Sequence, residues 1–265
     1  MRIRDITLGQ YAPRESIVHG LDPRTKVLSS LFFMTLLLFI HRLELLFVFF
    51  AVVLVLFRLS KLDFGLALRN LRPFLWLFLI TFILHVMFTK GRILWKVPAV
   101  SLYITEEGIT RGLFYTFRIG ILVMLASLLT LTTSPMSLTD AIERFLSPFR
   151  FIGVPAHEIA MMLSISLRFI PILIDEAERI RKAQISRGSR FEGSIVSKIR
   201  SVVPLIIPLF LSTFRRANDL ALAMDARCYQ GGGKRTSYHV LRFGRNDMMA
   251  LLAVLFFGFP VFLLR

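Results

Sequence analysis

Five continuous apolar runs set the layout of the chain: Val27–Ile40, Leu45–Phe57, Phe74–Phe88, Ile119–Thr133 and Met248–Leu264. Each reads as a membrane-crossing helix, although the runs are only 13–17 residues long against the roughly 20 that a full span prefers. The helices are therefore expected to extend into their polar flanks, with Lys26, Arg58 and Arg72 reaching back to the interface. The first two runs are separated only by His41-Arg42-Leu43-Glu44. That linker reads as a tight helical hairpin, since a single helix through both runs would far overshoot a bilayer.

Between Ser134 and Asp247 the pattern changes from apolar runs to amphipathic helices. Ser137 followed by Asp140 reads as a capped helix start. The helix it opens places Ile142, Phe145, Leu146 and Phe149 on one face, and Pro148 and Pro155 break it up. A second helix, His157 to Ser186, is apolar in its first half and charged from Asp175 to Lys182, with Gly188 as its stop. A third, about Ser194 to Arg227, is apolar from Val202 to Phe214 and polar from Arg215 onward, closing at Gly231-Gly232-Gly233. Offset by forty residues, Ala177 falls on Ala217, Ala183 on Ala223 and Arg187 on Arg227. That is a weak echo and no proof of duplication.

The expected fold is thus an all-α integral membrane protein with about five transmembrane helices and a cytoplasmic or interfacial helical coupling domain. Residues 1–133 carry an N-terminal cytoplasmic segment and four spans, 134–247 the coupling domain, and 248–265 the final span. Helices of the coupling type lie along or cross the inner membrane surface and project charged tips into the cytoplasm. An arginine at such a tip is favoured by the helix dipole and offers a planar fork of donors. Two such forks, on Arg187 and Arg227, would suit a partner with two similar acidic grooves. On position alone, ordinary C-terminal charges are the better reading of both arginines.

Composition supports the membrane reading. Of 265 residues, 55% are hydrophobic, above the 45–50% of soluble domains, and mean hydropathy is +0.67. The net charge of +16 suits a protein facing an anionic leaflet. Nucleic-acid binding is disfavoured because the basic residues flank apolar runs and form no single polar domain. Their placement also orients the chain. Arg2, Arg4, Arg14, Arg24 and Lys26 precede the first span, and Arg58, Lys61, Arg69 and Arg72 follow the second, so the N-terminus and coupling domain are expected in the cytoplasm. The first 25 residues lack the apolar core of a signal peptide.

Little in the chain suggests chemistry. Gly231-Gly232-Gly233-Lys234-Arg235-Thr236 invites comparison with a phosphate-binding loop, but Cys228 stands where the first Gly belongs and Arg235 where Ser or Thr belongs. No nucleotide site is expected. The histidines (His19, His41, His85, His157, His239) show no helical metal-ligand spacing, and one cysteine, Cys228, permits neither an intrachain disulfide nor a thiolate cluster. The apolar runs hold almost no ionisable residue, which argues against a self-sufficient carrier or channel, the alternative function. No enzyme active site is visible.

Three motifs resemble those of a known family, the transmembrane T component of energy-coupling-factor transporters, which includes the cobalt-transport permeases. Ser16-Ile-Val-His19-Gly-Leu-Asp22-Pro23-Arg24-Thr-Lys26 is similar to the family's opening motif. Ser186-Arg187-Gly188 and Ala226-Arg227-Cys228 are similar to its paired Ala-Arg-Gly signatures, with Ser186 in place of the first Ala and Cys228 in place of the second Gly. The resemblance spans essentially the whole chain. It implies a non-catalytic scaffold in a bacterial or archaeal plasma membrane, joining two ABC-type ATPase subunits to a small substrate-binding membrane protein, the S component, for vitamin or metal-ion uptake. ATP and Mg would bind the partner ATPases, and this chain would bind no cofactor or metal. Arg187 and Arg227 would each dock on one ATPase. The apolar faces holding Ile142, Phe145, Phe149, Met161 and Met162 would grip S components. The unequal ends, Ser-Arg-Gly and Ala-Arg-Cys, would fit two different ATPases.

Overall fold

The computed structural model describes residues 11–97, 102–189, 195–231 and 243–263. Arg2, Arg4, Ser194, His239, Leu264 and the loop from Gly232 to Thr236 lie outside the described residues. The chain divides into two compact units, one holding 139–231 of the described residues and the other 11–138 and 243–263.

In the larger unit, α1 (Pro23–Phe39) begins at Asp22, whose side chain accepts from the Arg24 N–H, with Pro23 at the first helical position. It ends in an extended Ile40, and α2 (Leu43–Leu59) turns back. Phe33 of α1 meets Phe49 of α2 edge-on at 5.9 Å between ring centres. The linker is the expected break. Helix α3 (Phe64–Leu71) runs through a 3₁₀ turn at Arg72–Phe74 into α4 (Leu75–Phe88), so this hydrophobic element starts ten residues before the apolar run that announces it. A hairpin of two short strands follows, β1 (Ile93–Val97) and β2 (Leu102–Thr105), antiparallel with Ile93 opposite Thr105. Helix α5 (Glu106–Thr132) is the centre of the unit. Thr105 caps it by accepting from the Gly108 N–H, and Glu106 and Glu107 favour its positive end. Last comes α9 (Arg245–Leu263).

Helix α5 packs against α1, α2, α3 and α4, and α1 also packs against α9. Leu46, Phe49, Val53 and Phe57 form the buried stripe of α2, meeting Ile121, Leu125 and Leu128 of α5 in one core. The opposite faces, including Phe47, Val48 and Val55 of α2 and Trp76 and Leu79 of α4, stay exposed, as lipid-facing positions do. A charge also reaches into this core. Arg118, only 8% exposed, lies in the middle of α5, donates from Nη2 to the Ile40 carbonyl that ends α1, and sits 4.6 Å from the Phe114 ring centre. Arg118 stands one residue before the apolar run Ile119–Thr133, in the part of α5 that extends it. Arg118 is tolerated because it satisfies a carbonyl orphaned by the helix end while its plane rests on aromatic faces.

Helix α6 (Pro135–Leu146) begins in the larger unit and continues into the other, leading through a 3₁₀ turn, Ser147–Ile152, to α7 (Ala156–Ser186), and α8 (Ile195–Ala226) packs against α7. Helix α6 starts earlier than expected: Ser134, not Ser137, is the cap, accepting from the Ser137 N–H at 3.1 Å. Glu176 of α7 pairs with Arg216 of α8 at 3.5 Å.

Among the described residues three helical stretches are long and apolar enough to cross a membrane: Phe64–Phe88, Glu106–Thr132 and Ala156–Ser186. The third belongs to the segment read from sequence as coupling domain, and it qualifies because its first half is almost wholly apolar. Helices α1 and α2, at 17 residues each, are about 25 Å long, slightly under the hydrocarbon thickness of ~30 Å.

Candidate coupling site

The ends of α7 and α8 are built alike. After Ser186, Arg187 caps α7, and Gly188 turns left-handed with φ +87°. The Ser189 N–H then donates to the Gln184 carbonyl at 3.0 Å, and the Gly188 N–H to the Ile185 carbonyl at 2.9 Å. After Ala226, forty residues on, the Tyr229 N–H donates to the Met224 carbonyl at 3.1 Å and the Cys228 N–H to the Asp225 carbonyl at 2.8 Å. Both are Schellman ends, which satisfy carbonyls that a helix otherwise leaves open. Cys228 adopts φ +55° in the place Gly188 fills, although its Cβ disfavours that conformation. Arg187 and Arg227, one residue before each left-handed turn, are exposed. The weak echo in sequence is thus a repeated backbone geometry.

Along both helices the charges are organised. Glu176 bridges Arg179 on its own helix and Arg216 on α8, each at 3.5 Å, and Lys182 pairs with Glu178 at 3.3 Å. On α6, Glu143 accepts from or pairs with His157 Nδ1 of α7 at 2.8 Å. The apolar candidates divide by exposure: Phe149 and Met162 stand out at 48% and 56%, while Ile142, Phe145 and Met161 are half-buried. A larger apolar stripe lies on α8, where Val202, Val203, Ile206, Ile207, Phe210 and Phe214 are 44–60% exposed. Their i, i+4 spacing, legible in sequence, puts them on one face.

The opening motif sits in the other unit and ties three helix ends together. Lys26 Nζ donates to the His19 carbonyl at 2.9 Å and to the Thr132 carbonyl, at the end of α5, at 3.0 Å. A cation there meets the negative end of the α5 dipole. Asp22 pairs with Arg24 at 3.2 Å, and the Asp22 N–H donates to Asp247 Oδ1 at 2.8 Å. Asp247 Oδ2 also accepts from the Gly244 N–H at 2.8 Å, closing the start of α9. Ser16 Oγ lies 2.7 Å from His19 Nδ1, and His19 Nε2 lies 3.1 Å from the Ala12 carbonyl. Because a carbonyl only accepts, Nε2 carries the proton and Nδ1 accepts from Ser16. Burial, helped by the Lys26 charge and opposed by the Ala12 carbonyl, holds the His19 pKa below its ordinary value. Asp247 was not singled out in sequence, although Gly244-x-x-Asp247 before an apolar run is a capping pattern.

The family model for the cobalt transport protein, CbiQ, matches residues 14–238, which takes in the opening motif and both helix ends. The chain belongs to the cobalt transport protein family. An energy-coupling factor transporter transmembrane protein EcfT from Acidaminococcus fermentans is 44% identical over 268 residues, covering 97% of this chain and 99% of that protein. One of the same name from Thermosediminibacter oceani is 46% identical over 253 residues, covering 95% and 94%. Another, from Clostridium kluyveri, is 44% identical over 260 residues, covering 96% and 94%. Within the CbiQ family frame, the chain is an all-α membrane transport protein.

Proposed function

We propose that the chain is the T component of an energy-coupling-factor importer, a scaffold that couples two cytoplasmic ATPases to a membrane S component capturing a vitamin or metal ion. The observation that carries this reading is the matched pair of helix ends, each presenting one exposed arginine beside a left-handed turn. A repeated backbone geometry forty residues apart suits docking onto two related surfaces. The names of the similar proteins point the same way.

In this reading Arg187 and Arg227 each enter an acidic groove on one ATPase, and Ser186, Gly188, Ala226 and Cys228 set the angle of approach. The contrast between Gly188 and Cys228 favours two non-identical ATPases. ATP and Mg belong to those partners. The S component rests on the apolar surface of Phe149 and Met162, with Ile142, Phe145 and Met161 beneath, extended by the exposed stripe of α8. Flat apolar patches rich in flexible side chains can accept several partners. In this reading the protein sits in a bacterial or archaeal plasma membrane, and the excess of basic residues before α1 and between α2 and α4 supports a cytoplasmic N-terminus and cytoplasmic helix tips.

The test is co-purification from the native membrane of the tagged chain and its Arg187→Ala, Arg227→Ala and doubly substituted forms. Truncating a desolvated arginine contact costs about 2–4 kcal/mol. Each single change is expected to weaken ATPase recovery, and the double change to abolish it along with uptake. A chain that purifies alone and moves solute in proteoliposomes would overturn the proposal.

A further inference from the structure

The larger unit contains a groove of about 730 Å³ between α1 and α2, floored by α5 and closed on one side by α9. Its two ends differ. One is wholly apolar, at Phe33, Val48 and Phe257; the other gathers Lys26, Ser29, Thr132 and Asn246. Lys26 uses two of its three N–H donors on carbonyls. Ser29 Oγ is buried with no hydrogen-bond partner among the described residues. The same end is basic outside the groove. Arg58 precedes the lining residue Leu59, Lys61 follows it by two, and Arg245 precedes Asn246, and all three are exposed. Against them stand Glu15 near Ile17 and the carboxylates of Asp22 and Asp247 beside Lys26, the first engaged by Arg24 and the second by the N–H groups of Asp22 and Gly244, while Asp63 is already held by Arg14 at 2.7 Å.

We propose that this groove is a binding site for an anionic phospholipid, with acyl tail between α1 and α2 and phosphate at the basic end. An apolar slot that becomes polar and then cationic along its length matches the order of tail, glycerol ester and phosphate. Anionic lipid head groups are drawn to clustered Lys and Arg at a membrane surface. Small side chains at Ala51 and Ala253 keep the slot open. The inference is independent of which subunits the chain binds.

The experiment is native mass spectrometry of the purified full chain, supplied after delipidation with phosphatidylglycerol or phosphatidylcholine. One phosphatidylglycerol is expected to stay bound preferentially. Arg58→Gln, Lys61→Gln and Arg245→Gln should each reduce that preference about fivefold, the worth of one basic residue near an anionic surface. Ala51→Trp, from an exposed lining position, should fill the slot and expel the lipid while circular dichroism and melting stay unchanged. A photoreactive residue at position 51 in native membranes should yield a lipid adduct. Equal retention of the two lipids, undiminished retention by Ala51→Trp, or an adduct the size of a protein would each overturn the proposal.

Discussion

The Asp22 backbone N–H donates to the Asp247 carboxylate at 2.8 Å across 225 positions of sequence, so the N-terminal cap of the first helix is held by the first turn of the last. Both residues are nearly closed to solvent, at 6% and 4% exposure. Asp247→Ala would leave the buried Asp22 N–H, and the more open Gly244 N–H, without their acceptor, and an unmade buried bond costs about 1–3 kcal/mol. Thermal unfolding in detergent should show a clear loss of stability, and Asp247→Asn, which keeps one acceptor, should lose less.

Cys228 holds a left-handed turn that Gly188 holds at the other helix end. Cys228→Gly removes the Cβ clash and should firm up the end of α8, by about 1 kcal/mol. Gly188→Ala should loosen the end of α7 by a similar amount. Hydrogen exchange at the amides of Tyr229 and Ser189 is the measurement, slower in the first variant and faster in the second.

Arg118 closes the α1–α2 turn by donating to the Ile40 carbonyl. Arg118→Leu keeps the volume apolar but frees that carbonyl, at a cost of about 1–3 kcal/mol. Protease cleavage at Arg42 should accelerate in the variant, and a cleavage rate unchanged from the parent would contradict the assignment.

His19 is kept neutral in the folded protein, its pKa below the ordinary histidine value of 6.5 chiefly through burial. The unfolded chain therefore binds the proton first as pH falls. The stability this group contributes is complete above pH 6.5 and is lost as pH drops through the folded-state value. Melting temperature should decline across that window, and His19→Gln should flatten the decline.

Element positions were legible in the sequence because apolar runs mark membrane helices directly, yet their starts were not. Helix α5 begins thirteen positions before Ile119, since Glu106, Glu107 and Arg111 lie in turns where polar side chains reach the surface, and Arg118 finds its partner on another helix. Periodicity sees neither effect. The β1–β2 hairpin escaped for another reason: strands of five and four residues fall below the length at which a pattern stands out. At the helix ends, the matching of Arg187 with Arg227 was visible as spacing, while the shared hydrogen-bond pattern was hidden because Cys228 does not announce a left-handed turn. The tie between Asp22 and Asp247 depends on contact between distant segments, which one sequence does not display.

The turn at Cys228 has a practical corollary. The chain has a single cysteine, and its thiol is exposed one residue beyond Arg227. The unaltered protein thus carries one addressable thiol at the tip of α8, so a maleimide fluorophore or spin label would attach there alone. Its signal would follow that tip through a transport cycle without any engineered residue.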